Sequence, residues 1–138
     1  MNARSANVQP PRMGNLSAAL CLALSGLSIF PARVSRNSGP NRWNKCPLVA
    51  RWQQKATTDP QQIQKWWRHH PTAVPGIELG RAGLVVIDAD RHGGPDGVQA
   101  LASLIAEYGH FPAGPVTVTA GGGNHYFFST TQRREIRQ

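Results

Sequence analysis

Acidic residues are scarce in this chain, and they come late. Only 7 aspartates and glutamates stand against 15 lysines and arginines, and none precedes Asp59. Arg4, Arg12, Arg33, Arg36, Arg42, Lys45, Arg51 and Lys55 all lie before it. The net charge of +8 is therefore carried by the first half, which suits a polyanion such as nucleic acid. Arg42, Lys45 and Arg51 are the candidates for contact with it. Trp43 and Trp52 sit among these cations, where they could stack on bases. The plainer reading makes the cations a solvated tail and loop, and the tryptophans core. Trp66 and Trp67 read as core; Trp43 stays open.

Cysteine is also rare. Cys21 and Cys46 form neither a metal motif nor a disulfide framework. Cys21 falls on an apolar helix face and reads as a small core residue. The histidines at 69, 70, 92 and 110 lack zinc-ligand spacing. Long apolar runs are missing too. Residues 16–24 are apolar and follow arginines, but the run is too short to span a bilayer. Serines at 17, 25 and 28 interrupt it, and no small-x-small cleavage site follows cleanly, which weighs against a signal peptide. A cytoplasmic location is expected. No internal repeat is visible.

What is present reads as a chain of 138 residues forming one domain or part of one, rich in turns, with Gly 14 and Pro 11. Residues 1–14 are polar and read as a disordered tail. A helix ending at Gly26 leads to a strand over residues 27–30, stopped by Pro31. Residues 32–47, rich in Arg, Asn, Ser and Pro, read as a long surface loop placed to touch nucleic acid or phosphate. Asp59 is a good N-cap, Pro60 suits the first helical position, and Gln62 completes an Asp-x-x-Gln capping box. Ile63, Trp66 and Trp67 make that helix's apolar face, Lys65 and Arg68 complement its C-terminal dipole, and Pro71 ends it. Asp96 caps another helix, in which Val98, Leu101, Leu104, Ile105 and Tyr108 recur at helical spacing before Gly109. Residues 131–138 are polar and read as frayed. The order α, β, α, β, α, β, β implies an α/β or α+β sheet with helices packed on it.

The chemistry centres on two segments. Leu84-Val85-Val86-Ile87-Asp88-Ala89-Asp90 reads as a buried strand ending in two carboxylates. Alternation puts Asp88 and Asp90 on one face and Ala89 on the other. Two close carboxylates repel, and a divalent cation relieves that repulsion. Hard oxygen ligands favour Mg²⁺ or Mn²⁺, with substrate phosphates completing the shell. Against this, strands often end in Asp simply because a turn follows, and Arg91-His92-Gly93-Gly94 is turn-rich. The second segment is a hairpin. Val116-Thr117-Val118-Thr119 and His125-Tyr126-Phe127-Phe128 both alternate as strands, joined by Ala120-Gly121-Gly122-Gly123-Asn124. The Gly121–Gly123 loop exposes backbone N–H groups able to cradle an anion. His125 shares a face with Phe127, opposite Tyr126 and Phe128. A lone histidine in a strand also fits a structural role, and a triple glycine fits a mere turn. Their joint occurrence with the strand-end carboxylates points to a metal-nucleotide site.

Here the chain resembles the bifunctional DNA primase/polymerase N-terminal domain of the archaeo-eukaryotic primase superfamily. Residues 20–31 look like its opening helix and strand. Trp52-Gln53-Gln54-Lys55-Ala56-Thr57-Thr58-Asp59-Pro60, running on to Ile63, Trp66 and Trp67, is similar to its tryptophan-rich helix. Gly76-Ile77-Glu78-Leu79-Gly80, the Asp88–Asp90 strand and the Gly121–His125 loop complete a match over roughly residues 18–128. The resemblance implies a catalytic sheet like that of an RNA-recognition motif, with packed helices. It implies that Asp88 and Asp90 bind Mg²⁺ or Mn²⁺ for catalysis. It implies that His125 contacts the phosphates of the incoming nucleotide, with Gly121, Gly122, Gly123 and Arg91 beside it. Arg91 enters only by its place in the sequence.

The activity so implied is template-directed nucleotidyl transfer in the DNA replication of a plasmid, phage or integrated element. DNA template and primer, nucleoside triphosphates and a helicase of the same system would be partners. The family's third motif, with a further metal-binding carboxylate, would lie beyond Gln138, so residues 15–130 are expected to form a partial domain. The alternative is a non-catalytic nucleic-acid-binding remnant. A haloacid-dehalogenase-type phosphohydrolase also has Asp-x-Asp after an apolar strand, but continues Asp-Gly-Thr, whereas Arg91-His92-Gly93 follow here.

Overall fold

A computed structural model describes residues 14–38, 43–91 and 94–130. Residues 1–13 of the tail expected over 1–14, the tail expected over 131–138, and Arg42 among the candidate DNA contacts lie outside the described residues. In order, the elements are α1 (Asn15–Leu24), β1 (Ser28–Arg36), β2 (Trp43–Pro47), α2 (Trp52–Lys55), α3 (Pro60–His69), β3 (Val74–Glu78), α4 (Leu79–Ala82), β4 (Leu84–Ala89), α5 (Gly97–Tyr108), β5 (Val116–Val118) and β6 (Asn124–Ser129). The mixture of helices and antiparallel strands is α+β. The strands divide into two three-stranded sheets, ordered β2-β1-β3 and β4-β6-β5, instead of forming one.

The core lies behind the first sheet. Ala19 and Ala23, one helical turn apart, turn α1 toward β1, β3 and α3. Ile29 of β1 and Ile63 of α3 are fully buried, and Trp67 nearly so. The apolar face expected from Ile63, Trp66 and Trp67 is the face that packs. Cys21 is exposed, contrary to expectation. It stands two residues from both buried alanines, which places it on the far side of the helix.

Pro31 does not stop β1. The strand runs on to Arg36, and Pro31 sits opposite Pro75 of β3. Neither proline has an N–H to donate, so the two can face each other only where the antiparallel ladder needs no hydrogen bond. On the other side the Pro31 carbonyl accepts from the Leu48 N–H at 2.9 Å. The expected surface loop over 32–47 is also corrected. Its two arms pair as an antiparallel ribbon, with Ala32 opposite Pro47 and Arg36 opposite Trp43. The ribbon is exposed over Arg33–Arg36 and Trp43–Cys46, so no buried face stamps an apolar alternation on it. Its pairing runs through backbone groups that composition does not report.

Capping at α3 differs in one arm. The Asp59 carboxylate accepts from the Gln61 N–H at 2.9 Å. The Asp59 N–H donates to Thr57 Oγ1 at 3.0 Å, in the place expected for Gln62. Trp52 stacks on Phe30, ring centroids 4.4 Å apart, which assigns it to packing.

Between the sheets, Arg81 of α4 donates to the carbonyls of Ala56, Gln53 and Gln54 at 2.7, 2.9 and 2.7 Å. These are carbonyls at the end of α2 that have no further helical partner. The short turn of α4 is thereby tied to the first sheet's surroundings just before β4 begins. Glu78 caps that turn by accepting from the N–H groups of Gly80 and Arg81.

No helix among the described residues is long and apolar enough to cross a membrane.

Candidate active site

β6 lies between β4 and β5, and its register builds the site. Asp88 is opposite His125 on one side, and Thr117 is opposite His125 on the other. Residues directly opposite in an antiparallel pair share a face, so the three side chains form a row across the sheet. His125 Nε2 is 3.2 Å from Asp88 Oδ1, with the histidine 27% and the aspartate 48% exposed. The expected sorting of the hairpin holds. The His125 and Phe127 rings lie 6.3 Å apart on this face, while Phe111 covers Tyr126 and Phe128 on the other, at 5.3 Å from each.

Asp90 stands one residue beyond β4, and its backbone is gripped from two directions. The Gly97 N–H donates to the Asp90 carbonyl at 2.7 Å. A Cβ on Gly97 would come within 2.6 Å of that oxygen. From the other side Gly123 packs so closely that a Cβ there would meet the Ala89 carbonyl at 2.5 Å. Both contacts are with backbone, which cannot swing aside. These two glycines therefore set the position of the strand end that carries Asp90.

The same geometry divides the roles of the glycine loop. The Gly122 N–H donates to the Thr119 carbonyl at 3.0 Å, and the Gly123 N–H to Thr119 Oγ1 at 3.0 Å. Gly122 has φ 80°, a backbone conformation that favours glycine. Those two amides are consumed by the turn. Gly121 lines the cleft described next.

Arg91 is paired with Asp96, Nε to Oδ2 3.2 Å, and its side chain runs beside Gly122. Asp96 caps α5 through the N–H groups of Val98 and Gln99, at 3.0 and 3.1 Å. The Gln99 N–H, aided by Arg91, holds the Asp96 carboxyl below its ordinary range, against partial loss of water.

Asp90 and His125 open onto a cleft of about 300 Å³. Thr117, Val118, Thr119, Ala120 and Gly121 line it on their side, and Val34, Trp43 and Lys45 of the ribbon line it on the other. Of the three candidate nucleic-acid contacts, Lys45 thus reaches the cleft. Arg51 lies elsewhere, exposed before α2 with φ 55°. Thr117, Thr119 and Val34 were not picked out by the sequence reading. The signal for Thr117 was the hairpin register, which puts it opposite His125. Nothing local marks Val34.

As donors, Asp88 and Asp90 offer hard carboxylate oxygens, the chemistry that suits Mg²⁺ or Mn²⁺. Among the described residues no group of three or more His, Cys, Asp or Glu is placed to hold a metal ion. These two carboxylates could supply only part of such a cation's ligands.

No curated protein and no solved structure matches this chain. Residues 19–138 match the family described as bifunctional DNA primase/polymerase, N-terminal. The match includes Asp88, Asp90, the glycine loop and His125, the residues gathered at the cleft and beside it. The chain belongs to the bifunctional DNA primase/polymerase N-terminal family, and its function is of DNA primase/polymerase type.

Proposed function

We propose that the cleft binds a nucleoside triphosphate together with Mg²⁺ or Mn²⁺, and that the chain serves template-directed nucleotidyl transfer onto a DNA primer. One observation carries this reading. A strand-end carboxylate and a histidine face each other at 3.2 Å across β4 and β6, and Asp90 and Gly121 line the cleft that His125 also lines. Asp88 and Asp90 would hold the cation. A bound cation neutralises phosphate charge and polarises the phosphoryl group.

The remaining work falls to the chain's own groups. Asp88 fixes the His125 imidazole beside the cleft through the 3.2 Å contact at Nε2, so that the ring stands ready to meet a bound phosphate. Gly121 offers a backbone N–H on the same side, while Gly122 and Gly123 keep the turn rigid. Arg91, steadied by Asp96, adds positive charge beside the loop. Lys45 stands across the cleft, and Arg51 adds to the basic surface of the first half. DNA binding of this kind is tolerant of sequence and weakens as salt rises, because phosphate contacts release counterions.

The test is nucleotide binding titrated with Mn²⁺, followed by primer extension on the same preparations. Asp88→Asn and Asp90→Asn are expected to abolish the Mn²⁺-dependent part of nucleotide affinity while the far-UV circular dichroism stays unchanged. Full Mn²⁺-dependent affinity in both variants would remove the site assignment. Nucleotide affinity lost in the variants, with no extension by the unaltered chain, would select a binding role over an enzymatic one.

A further inference from the structure

The family motifs account for one wall of the cleft and leave the other unexplained. That second wall is the β1–β2 ribbon. Val34 is opposite Lys45 and Arg36 is opposite Trp43, so these four side chains share one ribbon face. Val34, Trp43 and Lys45 line the cleft. Trp43 is 39% exposed, whereas Trp67 in the core is 4% exposed. The Arg36 guanidinium lies over the Trp43 ring, 5.9 Å from its centroid, which holds the indole without burying it. The wall thus offers a flat aromatic surface flanked by two cations. Such a surface matches a flat heteroaromatic ring joined to an anion. The facing wall carries Asp90, His125 and Gly121. At about 300 Å³ the cleft suits one nucleotide and is too small for a paired strand.

We propose that Trp43 stacks on the base of the nucleotide held in this cleft, and that Lys45 neutralises its phosphates. The ribbon is then the base-holding wall of the site. The inference rests on the nucleotide reading above for the identity of the ligand. Stacking is tolerant of base identity, because every base has a π-face. The ribbon therefore contributes affinity and leaves selection among bases to pairing with a template.

The experiment measures binding of dATP, dCTP and inorganic tripolyphosphate, each with Mn²⁺, by calorimetry. The full chain is compared with Trp43→Ala, Trp43→Phe, Lys45→Ala and His125→Ala. A single-stranded oligonucleotide without free nucleotide is a further arm. Trp43→Ala is expected to weaken both nucleotides about ten- to a hundredfold and leave tripolyphosphate unchanged. Trp43→Phe should recover most of the loss. Lys45→Ala should weaken all three ligands.

If Trp43→Ala binds nucleotides like the unaltered chain while His125→Ala does not, the ribbon inference falls and the nucleotide reading stands. If Trp43→Ala loses affinity for the oligonucleotide alone, the assignment to the bound nucleotide is overturned. If the unaltered chain binds no nucleotide, both fall together.

Discussion

The sheets β2-β1-β3 and β4-β6-β5 are both three-stranded and antiparallel, yet they are supported in different ways. Behind the first, α1 and α3 enclose Ile29, Ile63, Ala19 and Trp67 in a continuous apolar cluster. Around the second, α5 buries no residue, and Leu104 and Tyr108 of that helix are 53% and 77% exposed. Val116 and Val118 of β5 are exposed as well. The apolar spacing of α5 predicted a packed helix; the spacing is helical, but much of that face meets water. The second sheet is held at the end that carries Asp90 by backbone contact, through Gly97 and Gly123 against Ala89 and Asp90. Buried apolar packing is concentrated in one region, and the candidate residues Asp88, Asp90 and His125 stand in or beside the other. A region with few buried apolar contacts opens at a lower free-energy cost than the core does.

Three substitutions probe this contrast, the largest expected effect being set against an exposed control. Ile63→Ala should destabilise the chain by about 2–5 kcal/mol, the usual range for truncating a buried aliphatic side chain. Leu104→Ala in α5 should cost about 0.5 kcal/mol or less, as exposed positions do. Urea unfolding of the two variants measures both. Equal losses would mean that the two regions share one core.

Gly123→Ala comes next. Its Cβ would press on the Ala89 carbonyl, and overpacking of this kind costs about 1–3 kcal/mol. Amide exchange should show the loss in β4 and β6 with β1 and β3 unaffected, and nucleotide affinity should fall with it. Loss spread evenly over both sheets would break the contrast.

The smallest effect concerns pH. The Asp96 carboxyl lies below its ordinary value of 3.8, so its contribution is present above that value. The contribution disappears as pH falls from there through the lowered folded value. Amide exchange in α5 should quicken over that acidic window, and Asp96→Asn should remove the dependence. An α5 whose protection follows the same acid profile in that variant would show that the cap does not govern it.

How much of this was legible beforehand varies by element. Asp59, Asp96 and Gly109 marked helix ends correctly because caps act within a residue or two of the groups they satisfy. The β5–β6 hairpin was legible because alternation and a glycine turn lie next to each other in the chain. The strand β3 was not, since Pro75 and Gly76 are poor strand formers in isolation. Gly76 makes sense only with Phe30 in place: a Cβ at Gly76 would collide with the Phe30 ring.

The amino-acid order alone settled which side chains share a face within one strand, where α3 begins and where α5 begins and ends, and that the basic charge lies ahead of the carboxylates. Each of these depends on neighbours a few residues apart. Folding in three dimensions brought Asp88 to His125, put Lys45 and Trp43 across from Asp90, and tied Arg91 to Asp96. It also drew the Gly122 and Gly123 amides into the turn. Register between distant strands, and the place of an exposed ribbon beside the cleft, follow from backbone pairing and packing. Those forces act on whatever side chains the ribbon carries, and so leave little trace in its composition.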